Sequence, residues 1–146
     1  MYFDDFKLHT VTEIVPVAIS KERMTAFARE YDPLPIHMDE EYAKSTRFGA
    51  LIAPGVMTFM NIWAEYIRLD LFGDELVAGK STKIEWHRPV YAGDVLTAHA
   101  EITALTRRNA NNGIVEVTVT AYNQHGIHVL TDVTEIVVKC RPQAET

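Results

Sequence analysis

Asp32 and His37 stand five residues apart in the segment Tyr31-Asp32-Pro33-Leu34-Pro35-Ile36-His37-Met38-Asp39. A carboxylate and an imidazole presented together can take up and return protons near neutral pH, the requirement for general acid–base catalysis. Pro33 and Pro35 lack backbone donors and restrict the residues before them, so a helix arriving at Asp32 cannot run through. The segment therefore reads as a stiff, non-helical loop. The same spacing also fits a helix-ending aspartate followed by a loop histidine. What surrounds the pair decides between the two readings.

The elements around it follow from the hydrophobic pattern. Residues 12–19 alternate as a first strand, with Val11, Glu13, Val15 and Val17 on one side. Ser20 is placed to cap a helix whose apolar face is Met24, Phe27, Ala28 and Tyr31, with Glu22 in its first turn. That helix delivers Asp32. Asp39 reads as the cap of a short helix through Lys44. From Gly55 to about Leu71 the chain is apolar nearly all round, the composition of a helix buried on most sides. Four strands follow. Their alternating sets are Thr82, Ile84 and Trp86; Leu96 to Ala104; Val115, Val117 and Val119; and a last strand carrying Val129, Thr131, Val133, Glu135 and Val137. Turn residues separate them at Ala92-Gly93-Asp94, Asn111-Asn112-Gly113 and Gln124-His125-Gly126. The order gives an α+β fold, one antiparallel sheet curled around a long central helix.

The 146 residues suit a single domain over residues 1–146. Fourteen basic residues against 20 acidic ones give a net charge of −6, which argues against a nucleic-acid surface. No stretch approaches a membrane span, and the acidic start Met1-Tyr2-Phe3-Asp4-Asp5 is unlike a signal peptide, so a cytoplasmic location is expected. The lone Cys140 excludes an intrachain disulfide and reads as a passive small residue. His125 and His128 flank a turn with no evident third ligand, and no metal or other cofactor is expected. Arg107 and Arg108 read as a solvated loop, and the polar tail from Arg141 to Thr146 as a fraying end.

Three segments resemble the MaoC-like dehydratases, relatives of the (R)-specific enoyl-CoA hydratases with the hotdog fold. They are Asp32-Pro33-Leu34-Pro35-Ile36-His37-Met38-Asp39, Gly49-Ala50-Leu51-Ile52-Ala53-Pro54-Gly55, and Trp86-His87-Arg88-Pro89-Val90-Tyr91-Ala92-Gly93-Asp94. The resemblance implies that Asp32 and His37 form the catalytic pair and that the N–H of Gly55 meets the thioester carbonyl of an acyl-CoA. It also implies a homodimer or dimer of dimers, with the acyl tunnel near the subunit interface. Tyr31 and Leu34 stand where the family motif has Gly and Asn, and Trp63 where many relatives carry a small hydroxyl residue. Tyr31, Leu34, Pro54, Met57 and Trp63 are the expected substrate-binding positions.

The implied chemistry is hydration of an enoyl thioester, or dehydration of a 3-hydroxyacyl thioester. Water loses a proton as it attacks Cβ, Cα gains one, and negative charge develops on the thioester oxygen. Gly55 suits that last charge physically: the first N–H groups of a helix lack intrahelical partners, and glycine admits a ligand close to the backbone. A hotdog acyl-CoA thioesterase is the alternative enzyme. It would want an acid near the start of the central helix, where the first acid is Glu65. A non-catalytic acyl-CoA-binding subunit is the third reading.

Overall fold

The computed structural model describes residues 1–144. Five strands form one antiparallel sheet in the order β1-β3-β4-β5-β2: β1 (Val11–Ala18), β2 (Leu76–Trp86), β3 (Val95–Arg107), β4 (Asn112–Tyr122) and β5 (His128–Lys139). Helices α1 (Lys21–Tyr31), α2 (Pro35–Met38), α3 (Glu40–Lys44) and α4 (Gly55–Arg68) all fall between β1 and β2. The sheet curls around α4, and the core is the inward face of the strands closing on Met57, Phe59, Ile62 and Tyr66. The expected α+β layout is the one observed.

Several local expectations change. In β1 the buried residues are Ile14 and Val17, whereas Val11 and Val15 face solvent. Pairing with β3 shifts register between Ile14 and Val17, where Pro16 cannot donate to a ladder; the bulge moves the apolar set to the other parity. In β5 the inward set is Leu130, Asp132, Thr134, Ile136 and Val138, which puts a carboxyl group inside. Helix α4 stops at Arg68, and Val56, Met60 and Ile67 are exposed, so it is not covered all round. The tail is tied down at its start: the Arg141 backbone N–H donates to Asp4 at 2.7 Å and its guanidinium to Asp5 at 2.6 Å. Glu145 and Thr146, also expected to fray, lie outside the described residues. None of the helices among the described residues is long and apolar enough to cross a membrane.

Candidate active site

The Asp32–His37 segment is more ordered than a loop. Ser20 caps α1 by accepting from the Arg23 N–H at 3.2 Å. The helix ends at Asp32, whose backbone leaves the helical region (φ −152°, ψ 68°) as the residue before Pro33 must. Pro35 then opens a new turn, α2, because its fixed φ and missing N–H suit a first helical position. This corrects the non-helical reading. Leu34 joins the two groups through its backbone: its N–H donates to the Asp32 carbonyl at 2.7 Å, and its carbonyl accepts from the His37 N–H at 3.0 Å. Asp39 both closes α2 and caps α3, accepting from the Tyr42 N–H at 3.1 Å.

His37 is buried and its Nε2 lies 3.2 Å from Asp32 Oδ2; the Asp32 side chain is 42% exposed. On the other side of the ring, Nδ1 lies 2.7 Å from the Ile52 carbonyl oxygen. A carbonyl can only accept, so Nδ1 carries a proton. That leaves Nε2 facing the Asp32 carboxylate oxygen within hydrogen-bond reach. The pair is thus oriented by a backbone carbonyl and open to solvent through Asp32.

Ile52 belongs to a short extended segment clipped on both sides. Its N–H donates to the Ile36 carbonyl at 3.3 Å, and the Ala53 N–H donates to Val90 at 2.7 Å. Beyond it, Pro54 sets the entry to α4, whose N-terminus has no side-chain cap. The Tyr91–Asp94 turn holds the far side. Asp94 is buried and accepts from the Tyr91 N–H at 2.9 Å and from Gln124 Nε2 at 2.8 Å. All three segments singled out in the sequence therefore meet at one place.

They enclose a cleft of about 400 Å³, lined by Asp32, His37, Gly55, Thr58 and Trp86 among others. Trp86, at the end of β2, lays its indole against Gly55. A Cβ at that position would come within 2.3 Å of the ring, so close packing already demands glycine there. Thr58, almost wholly buried, donates its hydroxyl to the Gly55 carbonyl at 2.6 Å. Arg47 and Arg88 line the same cleft and pair with no carboxylate among the described residues. Arg107 lies elsewhere, bound to Asp4.

Asp32, His37 and Gly55 are thus brought together. Tyr31, Leu34, Pro54, Met57 and Trp63 do not line this cleft. The Tyr31 ring is 67% exposed and rests on Phe27, and the Leu34 side chain points to solvent. Met57 is core, Pro54 is buried behind the helix entrance, and Trp63 lines a second groove farther along α4. Trp86, Thr58, Arg47 and the Ile52 carbonyl were not anticipated as site groups. Of these only Trp86 had a signal, as an aromatic ending a strand at the third segment. Among the described residues no group of three or more His, Cys, Asp or Glu side chains could hold a metal ion.

The sequence model for the FAS1-like dehydratase domain region matches residues 8–132. The chain belongs to this family. It is MaoC-like, with the hotdog fold. An uncharacterized protein of Bacillus subtilis, YdeM, is 29% identical over 140 residues, covering 95% of this chain and 99% of that one. The MaoC-like dehydratase from Rhodospirillum rubrum superposes with a TM-score of 0.87 at 26% identity, covering 98% of this chain and 99% of the other. The (R)-hydratase PhaJ1 from Pseudomonas aeruginosa gives 0.75 at 25% identity, covering 99% and 92%.

Proposed function

We propose that this MaoC-like protein hydrates enoyl thioesters, or dehydrates 3-hydroxyacyl thioesters, at the Asp32–His37 cleft. The observation that carries the reading is the opposed pair: a partly exposed carboxylate 3.2 Å from an imidazole nitrogen whose other nitrogen is fixed by a carbonyl. In hydration, the pair takes a proton from water as its oxygen bonds to Cβ. The π electrons move toward the thioester, and negative charge appears on its oxygen. The uncapped N-terminus of α4, with the Gly55 N–H foremost, is the donor for that oxygen. A proton then passes from the pair to Cα, which restores the starting state of the site. Dehydration runs the same steps in reverse.

Asp32 is the base toward water in this reading, with His37 relaying the second proton. Ile52 keeps the imidazole turned toward Asp32 throughout. Arg47 and Arg88 at the cleft support an anionic carrier, and coenzyme A is the carrier we propose. Hydrolysis of the thioester is disfavoured by the lining of α4: its first acid, Glu65, is engaged with Arg68. A homodimer fits the exposed parts of the molecule. Among the described residues strand β2 pairs only with β5, leaving its other edge open to a second copy, and Val56 and Met60 on α4 are exposed.

The test is to incubate the protein with crotonyl-CoA and follow loss of the conjugated double bond together with free thiol. Hydration without thiol release is expected. Thiol release, or no reaction and only binding, would replace this reading with a thioesterase or a binding subunit.

A further inference from the structure

A second groove, of about 520 Å³, runs between α4 and the sheet. One wall is Phe59, Trp63 and Ile67, which follow Gly55 at spacings of four along the helix. On the facing wall Thr82 shares a strand face with Ile84 and Trp86. Gly55 and Trp86, which line the Asp32–His37 cleft, therefore lie in line with the two walls, on the same helix and strand faces. Thr82 lies about 13 Å along β2 from Trp86, beyond the reach of a short acyl chain and within that of a medium one.

The lining is mainly apolar, joined by Lys80, Ser81, Thr82 and Thr134, the two threonines meeting a buried carboxyl group. Asp132 is completely buried in the middle of β5, and no cation pairs with it among the described residues. Its Oδ1 meets Thr82 Oγ1, its Oδ2 is 2.6 Å from Thr134 Oγ1, and the two threonine oxygens are 2.6 Å apart. Three short oxygen–oxygen contacts need three protons. An ionised Asp132 leaves only the two hydroxyl protons, so one contact would set lone pair against lone pair. A neutral carboxylic acid supplies the third and closes a ring in which each oxygen contact has one donor. Burial acts in the same direction, raising the Asp132 pKa against the smaller opposing effect of the two hydroxyls. In the closed ring every proton is used internally, and each threonine oxygen retains one free lone pair. Thr82 and Thr134, which line the groove, thus offer acceptors and no donor.

We propose that this groove takes the acyl chain of the thioester and that Thr82 and Thr134, held by buried Asp132, accept a hydrogen bond from it. The substrate class is then a medium-chain acyl thioester with a hydroxyl or other donor on its distal part. An all-hydrocarbon chain would leave these oxygens unpaired beneath it. The inference rests on the thioester hydratase reading for its attachment to the Asp32–His37 cleft.

The experiment compares decenoyl-CoA with a set of decenoyl-CoA molecules hydroxylated at single distal carbons, by kcat/KM. Calorimetric binding of the saturated, unreactive counterparts runs in parallel. Wild-type protein should favour at least one hydroxylated chain by roughly fivefold to tenfold, the scale of one partly solvated hydrogen bond. Thr134→Val should remove that preference and Thr134→Ser should keep it. If the plain chain is preferred to every hydroxylated one, or the preference survives Thr134→Val, the inference is wrong. The wild-type comparison decides even if the valine variant does not fold. Failure of the hydratase reading is separately visible: crotonyl-CoA would not be hydrated, while the binding measurement would still rank the chains.

Discussion

The cleft at the head of α4 contains one aspartate and the groove along its side has another buried behind Thr82 and Thr134, in contrasting surroundings. Asp32 is 42% exposed and faces an imidazole. Asp132 is fully buried and faces two hydroxyls. The first faces an imidazole, a group able to take up and return a proton, and water can reach it. The second has partners that do not titrate, and its ring of contacts is complete only when it is neutral. Residue type alone does not set the role. An exposed carboxylate beside histidine can move protons, whereas a buried one among hydroxyls can only hold a hydrogen-bonding pattern in place.

The sharpest way to break this contrast is to remove each carboxylate's charge in turn. Asp32→Asn and His37→Ala should each lower hydration of a short enoyl-CoA by about 100- to 10,000-fold, measured as kcat. Asp132→Asn should leave that kcat within a few fold, since Asp132 lies outside the proton-transfer cleft. A comparable loss in Asp132→Asn would erase the distinction.

A second, smaller effect separates packing from catalysis at Gly55. Gly55→Ala drives a methyl group into the Trp86 indole and should cost about 1–3 kcal/mol of stability in a denaturant melt, along with activity. Adding Trp86→Ala relieves the collision and should recover much of the stability. Removing the Thr58 hydroxyl with Thr58→Val should cost about 1 kcal/mol through the lost bond to the Gly55 carbonyl.

The smallest effect is a pH dependence. The folded-state pKa of Asp132 is raised, so its contribution to stability is fully present below the unfolded pKa near 3.8 and is lost as pH rises through the folded value. Asp132→Asn has no such dependence. The stability of wild type relative to Asp132→Asn should therefore fall as pH rises from about 4, in paired thermal melts. A difference independent of pH would mean that Asp132 is not held neutral.

Much of the cleft was legible because its chemistry lies in local sequence. Prolines fix where α1 stops, Ser20 and Asp39 cap as their types suggest, and the three segments carry the motif residues. The groove was not legible. Valines at 129, 133 and 137 point to one parity for β5, and only pairing with β4 and β2 turns Asp132 and Thr134 inward. In the same way Pro16 reversed the face of β1 through a bulge that alternation cannot show. Trp86 reaches Gly55 only because the end of β2 passes the head of α4, a contact between residues 31 apart in the chain.

The central claim is that the Asp32–His37 pair adds or removes water on a thioester-bound acyl chain. It is tested most directly by crotonyl-CoA turnover in wild type and Asp32→Asn, with the product identified by mass. A gain of one water in wild type, no free coenzyme A, and a rate reduced at least about 100-fold in the variant are expected. Equal rates in the two proteins, or release of free coenzyme A, would contradict it.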